Sequence, residues 1–330
     1  MSRVSICIPT YKRPELLRSA IDSCLAQTFQ DFEIVIVDDS PDDETQKMVE
    51  TLSEGQRVRY VRNPHRSGQA NSKNQLFDLA GGEFLVLLHD DNVLMPAALA
   101  DMIKPLQENF GVSASFGKQY FLTHEGVVLE HESLLLNKKY FRTDERANQI
   151  QPSEWSALVQ QFPGDSYMVR TTIARKTRYR NDVGECGDAE FGWRLWKHGD
   201  FFFVGSYTAA DRQNKQGLSA SGLPIHLSNL YPVLQYLPVS KELESARVAR
   251  LKQLAPVAVT GCLLKKARLE AFKILFGSNY PWRRQFLKGV LKLGLVFSPR
   301  VVIRMALSRP RPLKRQDPPS ASPKTLRTAI

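Results

Sequence analysis

The sequence has few cysteines, no long apolar run and no recognisable secretory leader. Its four cysteines, Cys7, Cys24, Cys186 and Cys262, lie far apart and form no CxxC pair. We therefore expect reduced thiols and a cytoplasmic protein. No stretch reaches the roughly 18–20 apolar residues of a membrane-spanning helix, and the first residues lack the apolar core of a signal peptide.

Two common nucleotide-binding fingerprints are also absent. Neither GxxxxGK[ST] nor GxGxxG occurs, so neither a P-loop nor a dinucleotide-binding motif is predicted. The histidines show no metal-binding spacing.

Acidic residues are scarce at one end of the 330-residue chain, whose formal net charge is +11. Residues 241–330 contain 20 Lys and Arg but 4 Asp and Glu. The rest of the chain contains 25 Lys and Arg and 30 Asp and Glu. A basic C-terminal region favours anionic surfaces. Because it lacks an aromatic-interleaved nucleic-acid motif, we expect an anionic membrane surface as its partner and no nucleic acid.

The first ninety residues alternate between strand and helix patterns. Apolar, β-branched runs predict strands at 3–11, 32–40, 57–63 and 83–92, and helical spacing predicts intervening helices at 13–28, 42–55 and 67–82. This order predicts a doubly wound, mostly parallel α/β sheet.

Later segments are assigned more coarsely. We predict a helix at 97–109, an antiparallel strand pair at 112–123 and 126–136, a helix at about 187–198, and a polar loop at 210–221. The expected domains are a catalytic domain at 1–225, a helical basic region at 226–308, and a disordered Pro- and Ser-rich tail at 309–330.

Polar residues gather where three predicted strands end: Thr10 and Tyr11, Asp38 and Asp39, and Asp90 and Asp91. In doubly wound sheets, ligands bind beyond the carboxyl ends of the strands. Singly, each aspartate has a structural alternative, because Asp caps helices and Asp39 can form an Asx turn into the second helix.

The residue types at this edge suit a nucleotide diphosphate. Asp90 and Asp91 suit Mg²⁺ or Mn²⁺, which arrives with phosphate oxygens. Asp38 can accept hydrogen bonds from a base or ribose, Tyr11 can stack on a base or simply pack, and Lys73 can neutralise phosphate.

Three segments together resemble a known family. They are "VSICIPTYKRPELLRSAIDSCLAQTFQDFEIVIVDDSPDDET", "NPHRSGQANSKNQLFDLAGGEFLVLLHDDNVLMP" and "GDAEFGWRL". Over roughly residues 3–220 the chain resembles the family-two inverting glycosyltransferases of GT-A fold. The resemblance implies nucleotide-binding roles for Thr10, Tyr11, Asp38, Lys73 and Asp90, a metal ligand at Asp91 and a catalytic base at Asp188.

Some positions depart from the family pattern. His89 stands where the first Asp of the D-x-D motif often stands, and Gly187 replaces the usual Glu before Asp188. Arg194 is present, six residues after Asp188. No His follows the last strand, where Gln213 and Asn214 fall instead. The alternative role for Asp188 is that of a helix N-cap.

The resemblance implies a metal-dependent, inverting transfer of a sugar to a hydroxyl of a glycan or lipid-linked acceptor in polysaccharide or glycoconjugate synthesis. We expect a UDP-linked donor. The alternatives are a sugar nucleotidyltransferase and a non-catalytic nucleotide-sugar-binding module. The former usually needs a Gly-rich loop after the first strand, and "IPTYKRPELL" contains no glycine.

The segment 282–309 has the pattern of a helix lying in a membrane surface. It places Arg284, Lys288 and Lys292 on one face among apolar residues. We expect a peripheral location on the cytoplasmic face of the inner membrane. The alternative is a helix packed on the catalytic domain with a solvated basic stripe.

Overall fold

The computed structural model of the protein describes residues 2–52, 57–213 and 225–298. Its internal contacts divide these residues into two compact units, each described by itself below. Unit 1 contains residues 2–181 and 187–213, and unit 2 contains residues 182–186 and 225–298. The domain borders expected at 225 and 308 stay predictions, and the expected disordered tail at 309–330 lies outside the described residues.

Unit 1 is a sheet of nine strands with helices around it. The strands are β1 (Val4–Thr10), β2 (Phe32–Asp38), β3 (Val58–Arg62), β4 (Phe84–Leu87), β5 (Val93–Leu94), β6 (Val112–Leu122), β7 (Gln149–Gln151), β8 (Tyr167–Arg170) and β9 (Asp200–Arg212). The helices are α1 (Pro14–Leu25), α2 (Glu44–Glu50), α3 (Gln69–Leu79), α4 (Ala98–Glu108), α5 (Glu130–Lys139), α6 (Ser153–Leu158), α7 (Thr171–Thr177) and α8 (Gly187–Leu195).

The strand order is β3-β2-β1-β4-β8-β6-β9-β5, with β7 paired to β9. The first four strands pair in parallel, as the sequence predicts, and β8 joins β4 in antiparallel orientation. Strands β1, β2 and β4 are buried almost throughout, because helices cover both faces of such a sheet. The mixed α/β architecture with a mostly parallel centre is therefore confirmed.

The predicted antiparallel pair at 112–123 and 126–136 is wrong in its second half. β6 forms, but Val128 makes only an isolated bridge to Leu122, and the chain then enters α5. The side chains of α5 replace the missing strand: Ser133 Oγ accepts from the Phe121 backbone N–H (2.8 Å), and Asn137 bonds the N–H and C=O of Gln119 (3.1 and 2.8 Å). β6 pairs with β9 along its length but with β8 only at Ala114 and Ser115, so α5 satisfies backbone groups of Gln119 and Phe121 on the edge that β8 leaves open.

Unit 2 is helical, as expected for the chain after residue 225. It contains α9 (Ile225–Gln235), α10 (Glu244–Leu264), α11 (Arg268–Phe276) and α12 (Trp282–Phe297). Leucine, alanine and valine side chains of α10, with Leu275 and Leu295, form its buried interior. The segment 182–186 belongs to this unit because Asn229 and Lys265 both bond the carboxylate of Glu185 (2.9 Å each).

No helix within the described ranges is long and apolar enough to cross a membrane.

The junction between α3 and β4 depends on a glycine. A Cβ on Gly82 would lie 2.8 Å from the Ser5 backbone nitrogen and 2.9 Å from the Phe84 carbonyl oxygen. Because both neighbours are backbone atoms of the central strands, they cannot move aside without disturbing the sheet.

We therefore expect Gly82→Ala to lower the free energy of unfolding by roughly 1–3 kcal/mol, as overpacking does. Gly111→Ala is the matched control, because a Cβ there meets nothing within 4 Å, and it should leave stability unchanged or slightly raised. Urea denaturation of both variants measures the difference. Equal stability of the two variants would contradict the packing argument.

Candidate active site

The structure brings the three strand ends together. Thr10 at the end of β1 lies beside Asp38 at the end of β2. The Thr10 hydroxyl donates to Oδ2 of Asp90, which follows β4, at 2.8 Å. Residues far apart in sequence thus share one edge of the sheet, where ligands bind in such folds.

A cation lies between the adjacent carboxylates. One guanidinium nitrogen of Arg13 lies 3.0 Å from Oδ1 of Asp90 and 3.2 Å from Oδ2 of Asp91. Burial raises the pKa of Asp90, the charge of Asp91 raises it further, and Arg13 and the Thr10 hydroxyl oppose both effects. Sequence analysis did not single out Arg13, although the adjacent carboxylates required a nearby positive charge.

Asp38, predicted to bind the nucleoside, is fully buried. Its Oδ1 accepts the backbone N–H of Ser40 (2.8 Å) and its Oδ2 accepts the Tyr60 hydroxyl (2.7 Å). Asp38, and not Asp39, therefore forms the Asx turn. Its nucleoside-binding role stays a prediction, in which a base or ribose donor would use a remaining lone pair.

Asp39 organises the loop that precedes α3. Its carboxylate accepts hydrogen bonds from Asn63, Ser67, Gly68 and Ser72 at 2.7 to 3.2 Å. Burial raises the pKa of Asp39, but these donors outweigh it and hold the pKa below its usual value. Gly68 has a φ of +88°, which favours glycine at this turn.

Tyr11 is partly exposed, and the guanidinium of Arg66 lies 4.5 Å from its ring centre. Such a ring can stack on a planar group. Its predicted stacking on a base stays a prediction.

Lys73 and Asp188 form the central ion pair of the site. Lys73 Nζ lies 2.5 Å from Oδ1 of Asp188, and the lysine side chain is 1% exposed. Burial raises the pKa of Asp188, but the Lys73 ammonium, with a smaller contribution from His89, outweighs it and lowers the pKa overall. Asp188 is therefore ionised at neutral pH, as a general base must be.

Aromatic residues fix the position of this ion pair. Lys73 Nζ lies 4.6 Å from the centre of the Tyr179 ring, which stacks on Phe191 at 4.4 Å. Asn74 bonds both the N–H and the C=O of Tyr179 (2.7 and 2.9 Å). Asp188 itself lies in the first turn of α8, after its first residue, so a simple N-cap does not describe it.

A second acidic pair holds the turn that carries Asp90 and Asp91. Asn92 donates to Asp165 (2.9 Å) and to Asp211 (3.2 Å), and the His89 backbone N–H donates to Asp165 (3.1 Å). Burial, reinforced by the charge of Asp165, raises the pKa of Asp211 well above its usual value. No sequence pattern marked Asp165 or Asp211.

A cavity of about 240 Å³ opens beside Asp188. It combines polar side chains with apolar and aromatic ones, a composition typical of small-molecule sites. The polar lining comprises Gln119, Arg142, Gln160, Asp188 and Asp211, and the apolar lining includes Leu136, Tyr140 and Phe162. Arg142 is buried and donates to Gln119 and to the Gln161 carbonyl.

Three further positions bear on the family resemblance. Arg194 and Gln213 have structural partners, and Asn214 lies outside the described residues. Arg194 pairs with Glu190 (2.6 Å) and donates to the carbonyls of Thr177 and Arg178, so it ties α8 to α7. The Gln213 backbone N–H donates to Leu122. Among the described residues no group of three or more His, Cys, Asp or Glu could hold a metal by itself.

Comparison with known proteins identifies the domain that contains the strand-end residues, Arg13 and Lys73, although the match ends before Asp188. The model of the family "Glycosyl transferase family 2" matches residues 5–158. The chain carries a glycosyl transferase family 2 domain. The enzyme is accordingly a glycosyltransferase, and relatives bear that name. These findings favour sugar transfer over the nucleotidyltransferase and non-catalytic alternatives.

Two relatives show the range of similarity to this glycosyltransferase. The Campylobacter jejuni protein named GalNAc(5)-diNAcBac-PP-undecaprenol beta-1,3-glucosyltransferase is 28% identical over 250 residues, which cover 74% of this chain and 75% of the relative. The Escherichia coli protein WfgD, named UDP-Glc:alpha-D-GlcNAc-diphosphoundecaprenol beta-1,3-glucosyltransferase, is 26% identical over 38% of this chain and 49% of the relative.

Solved structures of other glycosyltransferases share the GT-A fold. S. aureus TarS 1-349 in complex with UDP-GlcNAc has a TM-score of 0.61 at 14% identity, covering 92% of this chain and 91% of that one. The Pyrobaculum calidifontis mannosyltransferase PcManGT, in complex with GDP-Man and Mn²⁺, has a TM-score of 0.58 at 17% identity, covering 91% and 87%. These structures confirm the predicted fold class, and the family model with the named relatives confirms the predicted family.

The Lys73–Asp188 pair predicts how stability depends on pH. Because pairing lowers the pKa of Asp188 in the folded state, it stabilises the protein at neutral pH, and this contribution is lost as pH falls below the usual carboxyl range. In Lys73→Met the burial effect is opposed only by His89 and Tyr179, so the pKa of Asp188 rises relative to the paired state. We expect Lys73→Met to lower the free energy of unfolding at neutral pH by an amount toward the low end of about 3–5 kcal/mol. The difference from the wild type should become smaller on acidification.

Urea unfolding of Lys73→Met, Asp188→Asn and the double variant completes a double-mutant cycle. The double variant should regain most of the stability that Lys73→Met loses. Lys47→Met, which breaks the exposed Lys47–Asp43 pair, is the control and should cost under about 1 kcal/mol. An identical loss of stability in Lys73→Met and in this control would show that the Lys73–Asp188 pair contributes no more than an exposed ion pair.

Proposed function

We propose that this glycosyltransferase moves a sugar from a UDP-linked donor to a hydroxyl acceptor with inversion, and that Asp188 is the catalytic base. The observation that carries the proposal is the position of Asp188: an ionised carboxylate at the edge of a cavity, on the first turn of a helix and against a buried lysine. A single positioned base suffices to take the proton as the acceptor oxygen attacks the anomeric carbon.

We assign the nucleotide diphosphate to the edge of the sheet where Thr10, Tyr11, Asp38, Lys73 and Asp90 lie, and we add Arg13. Arg13 and Lys73 are cations of this region that each pair with a carboxylate. A diphosphate carries more negative charge than either carboxylate partner, so it competes for both. The name of the E. coli relative includes UDP-Glc, and the S. aureus structure is a complex with UDP-GlcNAc; both support a UDP-linked donor.

Competition for Lys73 bears on the strength of the base. While Lys73 is paired with Asp188, the low pKa keeps the carboxylate ionised but makes it a weak base. If donor phosphate draws the ammonium away, burial raises the pKa toward the operating pH, where a general base is most effective. Donor binding would thus prepare Asp188 for the acceptor.

Asp91 is the candidate ligand of Mg²⁺ or Mn²⁺. The residues fit such an ion, because Asp90 and Asp91 already hold one positive charge, the Arg13 guanidinium. Mg²⁺ is usually held by one or two carboxylates together with substrate phosphates and waters, so a third protein ligand is not required. When bound, the ion offsets charge on the departing diphosphate.

The acceptor is proposed to be a glycan or lipid-linked sugar. The C. jejuni and E. coli relatives are named for undecaprenol-diphosphate-linked substrates. The cavity beside Asp188 offers side-chain amides, a guanidinium and carboxylates together with the Tyr140 and Phe162 rings, a combination that suits a sugar's hydroxyls and its apolar face. A peripheral location on the cytoplasmic face of the inner membrane would bring the enzyme to such an acceptor.

Replacing the base should separate chemistry from donor binding. We expect Asp188→Asn to lower turnover by about 10²–10⁴-fold while UDP-sugar affinity is retained. The measurement is UDP release with a polyprenyl-diphosphate-linked N-acetylhexosamine as acceptor, alongside calorimetric titration with UDP. Asp22→Asn, which removes an exposed carboxylate on α1, is the control. Unchanged turnover in Asp188→Asn would eliminate the catalytic assignment.

The donor and metal assignments can be tested together by thermal shift with UDP-, GDP- and dTDP-sugars. A UDP-sugar at about 100 times its dissociation constant should stabilise the protein by about 2.7 kcal/mol, and chelation should remove most of that gain. Asp91→Asn should make UDP-sugar binding insensitive to Mn²⁺. If wild-type affinity is the same with chelator as with Mn²⁺, Asp91 is not a metal ligand in the donor complex.

A further inference from the structure

Helices α11 and α12 expose an unusual amount of apolar surface. Eight of the fifteen large hydrophobic side chains exposed in the described residues lie on these two helices. They are Leu269, Phe272, Phe276, Phe286, Leu287, Val290, Leu291 and Phe297. Leu287 is the extreme case, with 82% of its surface exposed. We call these eight residues the α11–α12 surface; a concentration of this kind marks an interaction site and not ordinary surface variation.

Aromatic contacts connect the two helices across the corner between them. The ring centres of Phe272 and Phe276 lie 4.6 Å apart, and Trp282 lies 6.2 Å from both Phe276 and Phe286. The exposed rings of Phe272, Phe276 and Phe286 therefore belong to one continuous patch.

Trp282 holds this corner in place. Its indole N–H donates to the Leu275 carbonyl at 2.7 Å. A Cβ on Gly289 would lie 2.5 Å from the Trp282 ring, so the ring packs directly on the backbone of α12. The α11–α12 surface is thus presented on a fixed scaffold.

Basic residues flank the apolar patch, but not in the arrangement expected from the sequence. Lys273, Arg283, Arg284 and Lys288 are exposed. Lys292 instead turns inward and donates to the Pro256 carbonyl, and burial lowers its pKa to about 8. The expected face of Arg284, Lys288 and Lys292 is therefore not a single solvated stripe.

This composition favours a lipid bilayer over another protein as the occupant. The cores of protein interfaces are depleted in lysine, whereas helices that lie in a membrane surface combine exposed aromatic and leucine residues with Lys and Arg. Glu270 is the one acidic residue on α11 and α12, so repulsion from an anionic leaflet is weak.

We propose that the α11–α12 surface inserts into the head-group and acyl boundary of a membrane, and that its apolar residues, more than the basic ones, carry the binding. The proposal rests on the proposed function only in that a lipid-linked acceptor gives membrane attachment a purpose. The proposal differs from attachment by charge alone in one measurable way. Salt screens electrostatic attraction, whereas insertion of apolar side chains persists at high salt.

The test is co-sedimentation of the full chain with vesicles of pure phosphatidylcholine and with vesicles that also contain phosphatidylglycerol, each at low and high salt. We expect binding to both, with high salt removing only the extra affinity for phosphatidylglycerol. The triple variant Phe286→Ser, Leu287→Ser and Leu291→Ser should reduce binding to both by at least about 100-fold. The double variant Arg284→Gln and Lys288→Gln should lose at most about fivefold per charge, and only on phosphatidylglycerol.

The matched control is Leu134→Ser with Leu135→Ser, which removes two exposed leucines of α5 in unit 1 and should leave vesicle binding unchanged. Circular dichroism and calorimetric binding of UDP check that each variant is folded and retains its donor site. Because UDP binding is read separately, failure of the donor assignment cannot be mistaken for failure of membrane insertion.

Two outcomes overturn the proposal. One is full loss of binding at high salt with no effect of the triple variant, which assigns attachment to charge alone. The other is absence of vesicle binding together with a dimer, seen by sedimentation equilibrium, that the triple variant dissociates. That result assigns the surface to a second copy of the chain.

Discussion

The site depends on the neutralisation of buried negative charge. Asp90 and Asp91 follow a fully buried strand, where burial and the neighbouring charge of Asp91 raise the pKa of Asp90. Arg13 lies against both, and the Thr10 hydroxyl donates to one of them. The charge of Asp188 is likewise neutralised, by the ammonium of Lys73. The positions of the two cations therefore determine which carboxylates are ionised and which ligands can compete for them.

This arrangement suits a reaction in which a diphosphate arrives and leaves. A cation that is already paired with a carboxylate needs little reorganisation to exchange one anionic partner for another, and preorganised charge of this kind accounts for much of enzymatic rate enhancement. The hydrogen bonds of Asn92 to Asp165 and Asp211 fix the turn that carries the carboxylates. Proposed donor binding and proposed base activation are thus two consequences of one charge balance.

Local patterns predicted the first half of the fold because β1, β2, β4 and α1 bury regular runs or faces of mostly apolar residues. The same reasoning failed at α5, where Ser133 and Asn137 satisfy the edge of β6 in place of a strand, a contact that no periodicity reveals. At the site, the sequence marked the strand-end aspartates but not their partners. Lys73 and Asp188 come from distant segments of the chain. The Tyr60 hydroxyl donates to Asp38 from a neighbouring strand. Only the fold brings such pairs together.

The assignment of residues 182–186 to unit 2 affects where the polypeptide can be divided. This segment immediately precedes α8, yet Glu185 is held by Asn229 and Lys265, which come much later in the chain. A shortened recombinant fragment ending near residue 225 would keep every proposed site residue but lose both of these partners. The peptide leading into Asp188 would then lack its anchors, so a cut at the apparent domain border is a poor choice for crystallisation or assay.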